Sequence, residues 1–261
     1  MRMEVRGLKQ GYGQRVVLEG VDMDAETGEI VTILGPNGSG KSTMIKTISN
    51  IMKPMDGTIS IDGKGISSIP RREFAKIVGY VPQTAMYFGY STVYDAVLLG
   101  RRPYVNWNYT KEDIDIAAEA MVKMKVDDLY DRNLNELSGG QKQRVTLARS
   151  IAQDPVFYIF DEPTSALDLR HQLDTLKIMR RIIREKDACM IIAMHDINLA
   201  YRYSDKVLVL KNGGTYDFGK TEDVITPKMI KDVYGVDSEI VEGPRGKYIF
   251  SYDDSLDEIM D

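Results

Sequence analysis

A glycine-rich turn between two regular elements dominates the N-terminal part of this chain. Residues 35–42 read Gly-Pro-Asn-Gly-Ser-Gly-Lys-Ser, directly after an apolar segment at 29–34 and before a segment of helical pattern at 43–50. This is the G-x-x-x-x-G-K-S pattern of a phosphate-binding loop, in which glycines let backbone N–H groups turn towards phosphate oxygens. The following helix adds the positive end of its dipole. The segment therefore predicts a strand, a phosphate-binding loop and a helix, in that order.

The same loop carries the groups that a nucleotide and its metal need. Lys41 supplies a point charge to the β- and γ-phosphates of ATP, and the Ser42 hydroxyl is placed to bind Mg²⁺. ATP and Mg²⁺ are therefore the expected cofactors. The loop residues expected to contact the nucleotide are Gly35, Pro36, Asn37, Gly38, Ser39, Gly40, Lys41, Ser42 and Thr43.

An acidic pair completes this site. Asp161 and Glu162 directly follow residues 156–160, an apolar run too short for a helix and typical of a buried parallel strand. Asp161 is expected to hold Mg²⁺, and Glu162 is expected to act as a general base towards an attacking water. An acidic pair at a strand end is often only a solvated turn, and the phosphate-binding loop favours the functional interpretation.

The remaining pattern predicts an α/β domain. Strand-like segments at 77–81, 156–160 and 188–194 alternate with helical segments, which indicates a mainly parallel sheet covered by helices. Residues 88–150 interrupt this alternation with helical pattern and predict an inserted helical subdomain, with residues 142–152 as one of its helices.

The C-terminal part is expected to be an extension of the same domain, which spans residues 1–261. Residues 221–261 contain a short helix and a terminal hairpin in this interpretation. Residues 251–261 carry five acids and no base, and they are expected to form a solvated, frayed tail.

Composition excludes several classes of function. With 34 basic and 39 acidic residues the net charge is −5, so no global basic field favours nucleic acid. One cysteine and two histidines cannot form an intramolecular disulfide or a structural zinc site. No apolar run approaches the ~18 residues of a membrane-spanning helix, and the N-terminus lacks the apolar stretch of a signal peptide. We expect a soluble cytoplasmic protein that leaves any spanning of a membrane to another chain.

One further motif carries a resemblance to a known family. Residues 137–141 read Leu-Ser-Gly-Gly-Gln, the pentapeptide that marks the ATP-binding subunits of ABC transporters, and the chain resembles them over nearly its whole length. The other landmarks of that family follow in the expected order: Tyr12, Gln83, the segment Ser165-Ala166-Leu167-Asp168, and His195. The resemblance implies a P-loop NTPase with a RecA-like core, an antiparallel β part and an inserted helical subdomain that holds the pentapeptide.

The pentapeptide is expected to bind an anion from the partner subunit. Ser138, Gly139 and Gly140 begin a helix, so their N–H groups and the helix dipole favour a phosphate. In the family this site, with Gln141, faces the γ-phosphate of ATP held by a second copy, and ATP is sandwiched in a homodimer. Asp168 is expected to touch that second copy, to cap the helix that follows it, or to do both.

The resemblance also implies roles for three isolated side chains. Tyr12 would stack on adenine, although an aromatic residue near a turn is often simple packing. Gln83 would reach Mg²⁺ and the attacking water, and it would report the state of the nucleotide to the helical subdomain. His195 would contact the γ-phosphate. Of these, Gln83 and His195 join Glu162 and Lys41 as expected catalytic residues.

Other segments resemble one branch of the family. Residues 167–172 and 195–205 resemble those of metal-chelate importers, which carry ferric siderophores, haem or cobalamin and, in some members, molybdate or tungstate. Residues 99–104 also resemble that branch, although its members commonly have His at the position of Tyr104. The surface between Gln83 and this segment is expected to receive a helix of the permease. The basic pair at 101–102 would lie at that interface or be simply solvated.

The expected function is ATP hydrolysis that drives a membrane importer. Its partners would be a second copy of the chain, integral membrane permease subunits and, indirectly, an extracytoplasmic substrate-binding protein, at the cytoplasmic face of the membrane and without nucleic acid. Two alternatives stay open. A soluble ABC ATPase of translation or DNA repair usually joins two ATPase halves or carries a long coiled coil, and an exporter ATPase often carries its spanning helices on the same chain.

Overall fold

The computed structural model describes residues 1–83, 91–165, 167–244 and 246–252. The strands of this part of the chain are β1 (Arg2–Tyr12), β2 (Arg15–Glu26), β3 (Ile30–Leu34), β4 (Asp56–Ile61), β5 (Lys64–Gly65), β6 (Val78–Val81), β7 (Phe157–Asp161), β8 (Cys189–Ala193), β9 (Lys206–Lys211), β10 (Gly214–Lys220), β11 (Asp237–Gly243) and β12 (Gly246–Tyr252). Its helices are α1 (Lys41–Ile48), α2 (Arg71–Ile77), α3 (Val93–Leu98), α4 (Lys111–Lys123), α5 (Gly139–Gln153), α6 (Leu169–Lys186), α7 (Ile197–Tyr203), α8 (Thr221–Val224) and α9 (Pro227–Tyr234).

A mainly parallel sheet forms the centre of the molecule, in the order β10-β9-β3-β8-β7-β6. Neighbouring strands from β9 to β6 are parallel, and only β10 pairs antiparallel to its neighbour. Every residue of β3, β7 and β8 is buried, which explains why these segments are continuously apolar rather than alternating. The predicted α/β core is confirmed.

The direction of these strands determines where functional groups can meet. The carboxyl ends of parallel strands lie at one edge of the sheet, where ligands bind in folds of this kind. The glycine-rich loop follows β3, the acidic pair ends β7, His195 follows β8, and Gln83 follows β6. The topology therefore collects the predicted groups at a single edge.

A second sheet, antiparallel and ordered β2-β1-β4-β5, packs on the other side of α1. Met44, Ile45 and Ile48 of α1 share a buried apolar cluster with residues of both sheets, including Met3 and Ile33. The expected antiparallel part is confirmed. Its first hairpin pairs Tyr12 with Arg15, which places both residues next to the glycine-rich loop.

Helices α3, α4 and α5 form the expected helical part, and each begins with the same pattern of hydrogen bonds. The cap side chain accepts a hydrogen bond from the backbone N–H three residues later, and the side chain of that later residue accepts one from the backbone N–H of the cap. The caps are Thr92, Thr110 and Ser138. This capping box starts α5 at Gly139, as expected for a helix that begins with the pentapeptide, and the helical pattern at 142–152 covers most of the rest of α5. The two hydrogen bonds between Ser138 and Gln141 outweigh the low helix propensity of the two glycines between them.

The expectation for Arg101 is wrong. Arg101 is only 7% exposed, and its Nε donates to Asp113 Oδ1 at 2.9 Å in an almost fully buried ion pair. Its Nη1 donates to the carbonyl of Ala152 at 2.9 Å, and its guanidinium lies over the ring of Tyr104 at 4.0 Å. Arg101 therefore joins three segments of the helical part and is neither solvated nor free for a partner.

The C-terminal part contains α8, α9 and the hairpin β11–β12, of which α8 and the short strand β5 were not predicted. Asn198 of α7 holds the hairpin by two hydrogen bonds to the backbone of Ile249. The expected frayed tail began too early, because Ser251 and Tyr252 belong to β12. Residues 253–261 and residues 84–90, which belong to the surface expected to receive a permease helix, lie outside the described part of the chain.

Candidate nucleotide site

The glycine-rich loop has a backbone that requires glycine at particular positions. Gly35, Gly38 and Gly40 have φ of 150°, 81° and 104°. A Cβ atom would lie 2.4 Å from the carbonyl oxygen of Leu210 at Gly35, and 2.4 Å from Leu18 Cδ2 at Gly40. The positive φ favours glycine at all three positions, and at Gly35 and Gly40 the close approach also excludes a larger residue.

The N-terminus of α1 is open to an anion. Its cap, Gly40, has no side chain that could accept a hydrogen bond from the first N–H groups, and the first turn contains no acid. The first N–H groups of a helix lack partners within the helix, so a phosphate can satisfy them.

Lys41 lies at this helix start, and only 5% of it is exposed. Its Nζ donates to the carbonyl oxygens of Gly35 at 2.7 Å and Pro36 at 3.2 Å. Burial lowers the pKa of Lys41, while the charges of Glu162 and Asp161 oppose that shift. A phosphate would restore the solvation that this cation has lost.

Ser39 adds a second sign that the loop fits a ligand. Its Oγ is buried and has no hydrogen-bond partner among the residues that the structure describes. Buried polar atoms are nearly always paired, so an unpaired hydroxyl beside a phosphate cradle is consistent with a ligand that supplies the partner.

Asp161 and Ser42 form the candidate metal position. Ser42 Oγ donates to Asp161 Oδ1 at 2.9 Å, and Asp161 is 3% exposed. Burial raises the pKa of Asp161, the bond from Ser42 lowers it, and the neighbouring charge of Glu162 raises it further. A divalent cation would offset this burial cost. Hydroxyl and carboxylate oxygens are ligands that Mg²⁺ accepts, so the residues fit the ion.

Glu162 is the point at which the expected catalytic side chains meet. Gln83 Nε2 donates to Glu162 Oε2 at 2.7 Å, and His195 Nε2 contacts Glu162 Oε1. Glu162 has a φ of 49°, an uncommon backbone conformation for this residue type, and its N–H donates to the carbonyl of Ala193 at 3.2 Å. The carboxylate at the end of β7 is therefore held by side chains that follow two other strands, β6 and β8.

Most of the predicted site residues line one open cavity of about 620 Å³ at the carboxyl edge of the central sheet, whereas Asp161 is not on the lining and is linked to it through Ser42. Tyr12, 53% exposed, lies at its border and is free to stack on a flat ring. The cavity lining also includes Arg15 and Val17, which sequence reasoning missed. The pairing of Arg15 with Tyr12 across a short hairpin is the signal that could have indicated them. The predicted site residues on this lining are Tyr12, Asn37, Gly38, Gly40, Lys41, Ser42, Thr43, Gln83, Glu162 and His195.

The pentapeptide residues are not part of this cavity. Ser138, Gly140 and Gln141 line a separate cavity of about 310 Å³, together with Asp168. Asp168 caps α6 by accepting from the N–H of His171 at 2.9 Å, which confirms the expected cap. Sequence reasoning missed the remaining polar groups here, Arg144 and His171. Within one chain, the structure thus brings Asp168 and the pentapeptide together and separates both from Lys41.

A phosphate-binding loop and a strand-end acidic pair at the carboxyl edge of a parallel sheet define a P-loop NTPase. The family described as "ABC transporter" matches residues 18–165. This is more than half of the chain, so the chain belongs to the ABC transporter family. The resemblance drawn from the pentapeptide is confirmed. Membership implies nucleotide binding and ATP hydrolysis.

Two curated relatives extend this finding beyond the matched segment. An uncharacterized ABC transporter ATP-binding protein of Methanocaldococcus jannaschii is 46% identical over 246 residues, covering 94% of this chain and 96% of the relative. The iron(3+)-hydroxamate import ATP-binding protein of Bacillus subtilis is 37% identical over 237 residues, covering 90% of this chain and 88% of the relative.

Solved structures share the fold. An inward-facing conformation of a metal-chelate type ABC transporter aligns with a TM-score of 0.83 and 25% identity, covering 97% of this chain and 98% of that chain. The dimeric structure of a bacterial ABC transporter cassette aligns with a TM-score of 0.77 and 28% identity, covering 84% and 98%. In the part of this chain that the structure describes, no helix is both long and apolar enough to cross a membrane.

Proposed function

We propose that this chain is the Mg²⁺-dependent ATPase subunit of an importer for metal chelates such as ferric siderophores, haem or cobalamin. One observation carries the ATPase part of the proposal. A buried cation, a hydroxyl that donates to the Asp161 carboxylate, and the Glu162 carboxylate held by an amide and an imidazole line one cavity at the edge of the sheet.

The binding step follows from the loop. Phosphate oxygens of ATP would accept hydrogen bonds from Lys41, from the N–H groups at the start of α1 and from the Ser39 hydroxyl that now lacks a partner. Ser42, Asp161 and Gln83 would hold Mg²⁺, which supplies neutralisation of phosphate charge when bound. Tyr12 would cover the adenine ring.

The hydrolytic step needs a base in the cavity. Glu162 Oε1 and Oε2 are oriented by His195 and Gln83, so the carboxylate is positioned to take a proton from a water in the cavity. The His195 imidazole would also contact the γ-phosphate. Because the carboxylate is 8% exposed, few bulk waters compete for it.

The separation of the two cavities supports a dimeric mechanism. Ser138, Gly139, Gly140 and Gln141 would serve the ATP of a second copy, since they share no cavity with Lys41 of their own chain. The relative whose structure is a dimeric cassette supports the same arrangement. Closed two-fold symmetry lets one repeated surface build two such sites.

Crosslinking tests this arrangement. Asn37 and Ser138 are exposed, whereas Cys189 is buried, so Asn37→Cys and Ser138→Cys introduce two accessible thiols. We expect a disulfide between different chains that forms only with ATP. A disulfide within one chain contradicts the dimer, and Asn37→Cys with Asn135→Cys is the matched control pair.

The importer part rests on the relatives named for iron(3+)-hydroxamate import and for a metal-chelate type transporter. The partners would be permease subunits at the cytoplasmic face of the membrane and, through them, an extracytoplasmic substrate-binding protein. We expect no nucleic acid partner.

Reconstitution with metal-chelate permease subunits and their substrate-binding protein tests transport. We expect ATP-dependent uptake of a radioactive iron chelate into proteoliposomes, and loss of uptake with Lys41→Ala but not with the surface variant Lys53→Ala. An equal uptake with Lys41→Ala, or ATPase activity that the permease and its binding protein never stimulate, contradicts the importer function.

A further inference from the structure

The surface between α6 and α7 carries a dense group of positive charges on an otherwise acidic protein. We call this surface the basic groove. It has a volume of about 370 Å³ and is lined by Lys177, Arg180, Arg181, Arg184, Arg202 and Tyr203. The four cations of α6 recur at positions i, i+3, i+4 and i+7, so they lie on one helix face. Arg202 joins them from α7.

Most of this charge has no partner in the described residues. Arg184 Nη2 pairs with Asp205 Oδ1 at 2.9 Å. The pKa of Asp174 is lowered mainly by its hydrogen bond from Lys125, and the nearby charge of Lys177 lowers it further. Within residues 1–83, 91–165, 167–244 and 246–252, Arg180, Arg181 and Arg202 make no ion pair. Like charges four residues apart destabilise a helix, so the cluster is costly unless an anion occupies it.

The chain contains an anionic segment of matching charge. Residues 253–261 carry five acids and no base. They continue directly from β12, and Asn198 fixes β12 to α7 through Ile249. Asn198 and Arg202 lie one helical turn apart on α7. Nine residues reach about 30 Å when extended, and they start from a strand that packs on α7, the helix that contributes Arg202 to the groove.

We propose that residues 253–261 bind in the basic groove of their own chain. The observations that carry this are the uncompensated arginines, the complementary charge of the segment and the fixed end of β12 beside α7. The segment would join α6 and α7, the helices that are capped by Asp168 and Asp196. The proposal does not depend on the transported substrate.

Disulfide trapping in the full chain provides the test. Ser255→Cys labels the segment without removing an acid, and Glu185→Cys labels exposed α6 beside the groove, while Cys189 is buried. We expect rapid disulfide formation within one chain. The rate should fall about tenfold with Arg180→Glu and Arg181→Glu, since each exposed ion pair contributes roughly twofold and reversal adds repulsion. It should also fall in 0.5 M salt, where screening is strong.

Charge reversal on the other side provides the matched rescue. Adding Asp257→Arg and Glu258→Arg to the arginine reversals should restore the rate. Lys111→Glu with Lys123→Glu on α4 makes the same change in net charge outside the groove and should leave the rate unchanged. Unchanged far-UV circular dichroism confirms folding of each variant.

Three results would overturn the proposal. The first is a disulfide rate that the arginine reversals do not change. The second is a disulfide that forms only between chains, which would assign the groove to the segment of a second copy. The third is binding of the full chain to phosphatidylglycerol vesicles through the same arginines with no disulfide, which would assign the groove to lipid.

Discussion

The buried ion pair between Arg101 and Asp113 makes a sharp prediction about stability. Replacing Arg101 by Met keeps much of the side-chain volume but leaves the Asp113 carboxylate, 5% exposed, without its cation. It also leaves the Ala152 carbonyl without its donor. Removing one partner of a buried pair typically costs about 3–5 kcal/mol. Thr110 still donates two hydrogen bonds to Asp113, so we expect the lower end, about 3 kcal/mol.

Urea unfolding measures this effect. With an m-value of about 3 kcal/mol per M, the midpoint should fall by roughly 1 M at an unchanged slope. The neighbouring variant Arg102→Ala is the control, because Arg102 is exposed, and surface changes stay within about 0.5 kcal/mol. In the background of Asp113→Asn, the cost of Arg101→Met should shrink, because the carboxylate charge is already gone.

The same pair predicts a dependence on pH. Burial raises the pKa of Asp113, but hydrogen bonds from Thr110 and Arg101 outweigh it and hold the pKa below its usual value. A lowered pKa stabilises the fold above the ordinary aspartate pKa, near 4, and this stabilisation disappears as the pH falls through the folded value. The difference between Arg101→Met and the wild type should therefore decrease below about pH 4. A cost equal to that of Arg102→Ala at pH 7 would refute the assignment of a buried ion pair.

Three further predictions concern the loop and a helix start. Gly40→Ala should lower ATP affinity at least tenfold without unfolding the protein. The new Cβ would lie 2.4 Å from Leu18 Cδ2, and the φ of 104° at this position is strained for alanine. An unchanged affinity in a nucleotide titration contradicts this. Lys41→Ala should lower both ATP affinity and turnover, and retained turnover in a phosphate-release assay contradicts the phosphate role. Asp168→Ala should lower the thermal midpoint by a few degrees through loss of the α6 cap, whereas Asp168→Asn should retain it.

Sequence reasoning was most effective where chemistry imposes spacing. The loop at 35–42, the acidic pair at the end of β7 and the cap at Asp168 each depend on a few adjacent residues, so their positions could be derived directly. The parallel sheet followed from the alternation of strand-like and helical segments, because buried strands between helices have few other arrangements.

The parts that sequence reasoning missed depend on contacts between distant segments. In the sequence, Arg101 looks like half of an exposed basic pair. In the fold, α4 and α5 place Asp113 and the Ala152 carbonyl within hydrogen-bond distance of it. Arg15 and His171 acquire a place in a cavity only through the hairpin of β1 and β2 and the cap of α6. The start of α5 at Gly139, in contrast, has a local cause, since the reciprocal hydrogen bonds of Ser138 and Gln141 overcome the low helix propensity of glycine.

The Glu162→Gln variant tests the central claim that one cavity both binds ATP and supplies the base. The amide has nearly the same shape, so ATP affinity should stay within about threefold of the wild type, while a lost general base should lower turnover by about 10²–10⁴-fold. Equilibrium binding of a fluorescent ATP analogue and phosphate release with Mg²⁺ should be measured on the same preparation. Retained binding with lost turnover is the predicted result, and near-normal turnover, or loss of binding together with turnover, would contradict the account.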